Sequence, residues 1–277
     1  MSDLVCEFEN EVNVGRKVRV YGGITKQKFL SGNETYVLYN CADVMTMSSD
    51  EEDELISSLS KSIKLFVGNA KKVLVVGLGN KDISSDSLGT ETLGRVIATR
   101  GLIESRCEVS VLTPGVFGLT GIESVDIIKS VANLVKPNVI IMVDSLCANN
   151  YKNLVNRFQI SNAGFEPGAG VGNYRKVANI NTLNCKTITI GVPLVVYAKS
   201  FVNTAVDSVM QTTMHSTKNK HNIAIFNEFQ KLRFDNIVLT VKDVDLCVKK
   251  LGYIISSAIN LACNGYDVLE QKLILGK

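Results

Sequence analysis

Two aspartates, Asp86 and Asp144, stand where chemistry can be done, and the same kind of stretch leads to each. Val73-Leu74-Val75-Val76 passes through Gly77 and Gly79 into a polar loop carrying Asp82 and Asp86. Residues 138–143 (NVIIMV) run straight into Asp144. Short apolar runs rich in β-branched residues read as strands buried on both faces of a parallel sheet. Sites in open α/β sheets gather at the carboxyl edge of such strands. If the two carboxyls converge, ionising both is costly, so one keeps a proton while the other stays a base. That pair suits activation of a water against a peptide carbonyl. Each aspartate also has a plainer reading. Asp86 could cap a helix starting at Ser87, and Asp144 could cap a turn after its strand.

Other chemistries fit the spacing less well. Gly77-x-Gly79 lacks the third glycine of a dinucleotide loop, and Asp82 and Asp86 sit where a pyrophosphate needs amides. No Gly-Lys-Ser/Thr follows, which removes a Walker loop. Gly168-x-Gly170-x-Gly172 has phosphate-cradling glycines but does not lie between a strand and a helix. The two histidines, His215 and His221, are without a cysteine pair, which weakens zinc and histidine-based nucleophile readings alike. Cys147 reads as a core thiol near Asp144.

The surrounding elements must position the pair. Alternation over Arg16–Val20 and Thr25–Leu30, a turn at 31–34 and a strand over Thr35–Tyr39 predict a β-rich, antiparallel N-terminal piece, residues 1–45. Residues 1–12 are polar and acidic without periodicity. The acids of Ser48–Glu54 open a helix carrying Leu55, Leu59, Ile63 and Phe66 at helical spacing. After the 73–78 strand we expect a helix over Ser87–Arg100, a strand over Glu108–Leu112, a helix from Ile122 stopped by Pro137, and then the Asp144 strand. Strand and helix alternating in this way mean βαβ units. Residues 145–185 read as mostly irregular, Thr187–Gly191 as a strand, 207–230 as a partly helical excursion and Asn236–Thr240 as a short β segment. From Val244 to Leu261 a long amphipathic helix follows, with Asp243 as its candidate cap. The expected fold is therefore α/β, a mostly parallel sheet flanked by helices, in a single domain over 1–277 with its α/β core at 46–277.

Composition sets bounds. The chain of 277 residues is long enough to bury a full core, and a net charge of +3 without a dense basic cluster argues against direct nucleic-acid or membrane partners. The opening MSDLVCEFENEV is not a signal peptide, and no apolar run reads as a membrane span. Seven scattered cysteines without a CxxC pair suggest reduced thiols in a cytosolic compartment.

Longer motifs carry a family resemblance. Ser2-Asp3-Leu4, GLGN at 77–80, SSDSLG at 84–89, TPGVFGLTGIES at 113–124 and VDSL at 143–146 occur in order. FQISNAGFEPGAGVGNYRK at 158–176, IGVPLVV at 190–196 and TVKDVD at 240–245 complete the series. The sequence resembles the germination proteases of endospore-forming bacteria, which degrade the small acid-soluble proteins coating spore DNA. The resemblance implies a fold related to the hydrogenase-maturation proteases, a homotetramer, no required metal or other cofactor, and endopeptidase action on those spore proteins in the cytoplasm of the spore core. The family's two proposed catalytic aspartates fall on Asp86 and Asp144, and Asn80 takes a supporting, substrate-binding place in the loop. Relatives carry a short propeptide ahead of the segment matching Ser2-Asp3-Leu4. Met1 stands almost at that point, so the expectation is that this restraint is absent. Ser85 and Thr90 stand where proline is usual, Asn149 and Asn150 where Ala-Arg-like residues are, and Asn162 and Glu166 where Asp and His are. These departures keep open a catalytically silent paralogue that binds spore proteins or the active protease. A maturation-type metalloprotease on the same fold is the other alternative, against which stands the lack of a histidine near either aspartate.

Overall fold

A computed structural model describes residues 3–7, 12–102, 105–165, 176–214 and 237–276. His215, His221, Glu166 and the glycine run 168–172 lie outside the described residues, as does Ser2. The strands are β1 (Asn13–Val14), β2 (Val18–Tyr21), β3 (Ile24–Ser31), β4 (Glu34–Asn40), β5 (Lys72–Gly77), β6 (Glu108–Leu112), β7 (Val139–Ala148), β8 (Arg157–Ser161), β9 (Lys186–Tyr197) and β10 (Val238–Leu239). The helices are α1 (Ser49–Val67), α2 (Leu88–Leu93), α3 (Phe117–Thr120), α4 (Ser124–Val135), α5 (Ile180–Leu183), α6 (Ala198–Met214), α7 (Val244–Asn264) and α8 (Val268–Leu275).

All the described strands join one sheet in the order β1-β3-β4-β8-β9-β7-β5-β6, with β2 on β3 and β10 on β9. The sheet is mixed. Its parallel part is β6-β5-β7-β9, and the N-terminal strands extend it through antiparallel pairing of β4 with β8 and β8 with β9. The N-terminal piece therefore continues the sheet. It can do so because Arg157–Ser161, inside the segment expected to be irregular, forms the bridging strand β8.

Both faces of the parallel strands are covered. Val73 and Val75 of β5, with Val139, Ile141 and Val143 of β7, face a core built with Leu55, Leu59 and Ile63 of α1 and Leu251, Ile255 and Ile259 of α7. Their neighbours Leu74, Val76, Ile140 and Met142 face Val125 and Ile128 of α4 and Leu183 of α5. This two-sided burial is why the strands read as unbroken apolar runs. The helix α7 is long and apolar enough to cross a membrane by composition, contrary to the reading above. However, 72% of its apolar window is buried inside the fold, which makes it a core helix.

Helix ends follow local chemistry. Ser48 and Glu51 form a reciprocal capping box at the start of α1. Ser48→Ala is expected to cost about 1 kcal/mol, read as a fall in Tm of roughly 2–4 °C. The helix expected over 87–100 stops at Leu93. Asn260 of α7 interrupts it by accepting the Ile97 N–H at 2.9 Å and donating to the Arg95 carbonyl at 3.0 Å. Asp243 stands at the start of α7 but makes no side-chain capping bond.

Candidate active site

The β5 strand ends against β7 with Gly77 opposite Val143, and Leu78 N–H still donates to the Val143 carbonyl at 2.9 Å. The chain then turns at Gly79, whose φ of +93° lies in the region that favours glycine. A Cβ on Gly79 would also sit 1.9 Å from the Asp86 carbonyl oxygen. A 3-10 turn over Ser84–Asp86 carries the chain into α2. Two further glycines let α2 descend onto the strand ends. A Cβ on Gly77 would lie 2.4 Å from the Gly89 carbonyl oxygen, and one on Gly89 2.4 Å from the carbonyl oxygens of both Leu78 and Val143. The glycines of GLGN and SSDSLG are thus spacers that bring Asp86 down onto the β5–β7 boundary.

Asp144 lies on β7 one residue beyond the point where β5 stops, paired on its other side with Gly191 of β9. Its Oδ1 accepts its neighbour's N–H, from Ser145, at 2.8 Å. Asp86 does not cap α2, whose first flanking residue is Ser87. Its Oδ2 instead accepts the Asn80 N–H at 2.9 Å. The Asn80 side-chain oxygen accepts from Asp82 N–H at 3.0 Å and shapes the turn. Asn80 therefore supports Asp86 through its main chain.

The electrostatics separate the two carboxyls. Burial, then the charge of Asp86, then that of Asp3, hold Asp144 well above the usual carboxylate range, against the Ser145 N–H. Asp86 is raised by burial and lowered by the Asn80 N–H. Of the two, Asp144 is the carboxyl held more strongly in its protonated form. A carboxyl with a raised folded pKa binds its proton more tightly folded than unfolded. Its contribution is present at acid pH and is lost as pH rises through the folded value. Asp144→Asn is therefore expected to gain stability over wild type as pH rises from the acid range to 8, by roughly 2–4 °C in Tm for each kcal/mol released. Melting curves across pH for the two proteins check this.

The N-terminal segment, read above as polar and acidic and, at Ser2-Asp3-Leu4, as a family motif, makes contacts at the site that the sequence did not show. Asp3 N–H donates to the Cys147 carbonyl at 2.9 Å, and Cys147 N–H donates to Asp3 Oδ2 at 2.8 Å. Gln159 accepts the Val5 N–H at 2.8 Å and donates to the Asp3 carbonyl at 2.9 Å. Glu7 accepts the N–H groups of Asn149 and Asn150, at 2.7 and 3.0 Å, and the Asn153 amide at 2.7 Å. Leu4 and Val5 fill a small core with Phe29, Leu38, Leu146 and Ala148. Several positions that depart from the resembling family hold this frame. Asn150 caps the turn at Tyr151–Asn153, and Asn162 accepts the Thr35 N–H at 2.6 Å.

Burial makes Cys147 a poor thiolate, pushing its thiol up to about 12. Among the described residues, no three or more His, Cys, Asp or Glu side chains gather as a metal site.

Comparison with known proteins agrees with the motifs. The sequence model of the family described as Germination protease matches residues 9–226. The chain is 32% identical over 262 residues to the Germination protease of Clostridium tetani, covering 85% of this chain and 80% of that one. It is 32% identical over 250 residues to that of Caldanaerobacter subterraneus subsp. tengcongensis, covering 82% and 77%. Among solved structures, a NiFe hydrogenase maturation protease, HycI, of Thermococcus kodakarensis KOD1 overlays 72% of this chain and 98% of its own. Its TM-score of 0.35 and 10% identity are too loose to transfer any residue. The match over 9–226 and these identities show that the chain belongs to the germination protease family, which places it among the peptide-bond hydrolases.

Proposed function

We propose that the chain is an endopeptidase that opens degradation of small acid-soluble spore proteins, with Asp86 and Asp144 as a catalytic pair. The observation that carries the reading is the Asp86 carboxyl, in the turn that follows β5, set against Asp144 of the neighbouring strand β7, where the charge of Asp86 raises the pKa of Asp144. In this mechanism the Asp144 carboxyl donates a hydrogen bond to the scissile carbonyl oxygen. The Asp86 carboxylate, supported by the Asn80 N–H, takes a proton from water as the water oxygen bonds to the carbonyl carbon. Asp144 gives its proton to the developing oxyanion. As the intermediate collapses, Asp86 passes its proton to the leaving nitrogen and the hydroxyl returns one to Asp144. Asn80, beside the base, holds the substrate-side loop. A homotetramer in the cytoplasm of the spore core, and the absence of a cofactor, belong to the same proposal and rest on the family resemblance.

The test is cleavage of a purified small acid-soluble spore protein by the purified chain, with and without chelator. Cleavage indifferent to chelator is the expected result. Folded protein that binds the spore protein without cutting it would replace the proposal by the silent-paralogue reading. Cleavage abolished by chelator would replace it by a metal-dependent one.

A further inference from the structure

At the opposite edge of the sheet, where the parallel strands begin, a cavity of about 220 Å³ is lined by Lys64, Lys71, Arg106, Cys107 and Cys263 among others. Cys107 lies just before β6, and Cys263 is in the last turn of α7. Both line the same pocket and each perturbs the other's ionisation, while the Cys107 thiol lies 3.9 Å from the Glu108 carbonyl oxygen. The surrounding backbone is fixed. Asn264 accepts the Cys107 N–H at 2.9 Å, and Thr99 donates to the Cys107 carbonyl at 2.6 Å. Arg106 Nη1 would lie 3.8 Å from a Cβ on Gly265, which sets its guanidinium beside the end of α7. Lys64, Lys71 and Arg106 are exposed at the mouth, whereas the two cysteines are 3% and 4% exposed at its floor.

We propose that this cavity is a thiol-exchange site, in which Cys107 and Cys263 react with a small anionic disulfide drawn in by the three cations. Two neighbouring thiols, at the floor of a pocket ringed by positive charge, are the arrangement that captures such a reagent and then resolves it. Interaction with the Cys263 side chain is the largest cause holding Cys107 below the ordinary thiol range. Lys71 adds to it, while burial and Glu108 oppose. Cys263 is pushed well above that range by the same interaction, then by burial and by the charge of Cys107. Cys107 is thus the attacking sulfur. Its thiolate bonds to one sulfur of the reagent, the reagent's disulfide breaks, and the first small thiol leaves with a proton. Cys263 then gives up its proton and attacks Cys107 in the mixed disulfide, and the second small thiol departs. The protein dithiol is oxidised and the reagent reduced, two electrons passing between them. Closing the bond needs the sulfurs to approach to about 2 Å. The product ties the end of α7 to the start of β6.

The experiment uses the whole folded chain with oxidised glutathione as the anionic disulfide, followed by alkylation and peptide mapping. The expected product is a Cys107–Cys263 crosslink. Cys263→Ser should accumulate a glutathione adduct on Cys107, and Cys107→Ser should leave Cys263 unreacted. Lys71→Gln with Arg106→Gln should slow the reaction with glutathione disulfide about tenfold and leave that with neutral 2,2′-dithiodipyridine unchanged. Faster modification of the half-exposed Cys6 or Cys185 than of Cys107, or equal slowing with both reagents, would overturn the proposal.

Discussion

Asp86→Asn and Asp144→Asn are each expected to lower cleavage of a spore-protein substrate by on the order of 10²–10⁴-fold, with the fold retained. Amide replacement keeps the shape of each side chain but removes the proton that one must give and the charge that the other must carry. The double variant should be little worse than either single one, because groups that act as a unit are not additive. The pH dependence separates the roles. In the proposed mechanism Asp86 must be ionised and Asp144 protonated, so the acid limb would belong to Asp86 and the alkaline limb to Asp144, whose burial and neighbours hold its proton longest. Asp3→Asn removes one of the charges that raise Asp144, and should move the alkaline limb to lower pH. Activity of Asp86→Asn within threefold of wild type, in protein with native melting behaviour, would refute the pair.

Gly89→Ala is expected to cost about 3 kcal/mol or more in stability. The added carbon would stand 2.4 Å from the carbonyl oxygens of Leu78 and Val143 and 2.5 Å from Leu78 N. It would wedge open the last hydrogen bond between β5 and β7. None of these neighbours is a flexible side chain that could yield, so α2 must lift and carry Asp86 away from Asp144. Gly118 in α3 is the control. Its Cβ would meet nothing within 4 Å, and Gly118→Ala should leave Tm unchanged or slightly higher. Denaturant melts of the two variants, with cleavage rates on the same samples, distinguish a misplaced site from general weakening. An unchanged midpoint for Gly89→Ala would show that the strand ends tolerate the displacement.

What could be read in the sequence and what could not follow from the range of the interactions. The strands β5 and β7 announce themselves because burial on both faces leaves uninterrupted apolar runs, and both aspartates follow from those strand ends. The glycine of SSDSLG was visible as a residue but not as a spacer, since its neighbours in space include Val143, more than fifty positions away. The helix at 87–100 was overextended because a side chain from α7, Asn260, takes its backbone partners. The strand β8 and the segment Asp3–Glu7 escaped notice for a similar reason. Their order comes from partners distant in the chain, and polar residues such as Asp3, Glu7 and Gln159 have no periodic pattern.

The anchoring of Asp3–Glu7 also fixes an order of events in folding. Its bonds span 144 residues from Asp3 to Cys147 and 154 from Val5 to Gln159. Contacts this remote carry a large loop-closure cost and form after local structure. During synthesis Asp3–Glu7 must wait for β7 and β8 to emerge before they find a place. Refolding followed by hydrogen exchange should therefore show protection at Asp3, Val5 and Cys147 arriving together and late, after that of Val73–Val76. The site reaches its final electrostatic state only when an earlier-made part of the chain docks on a later-made one.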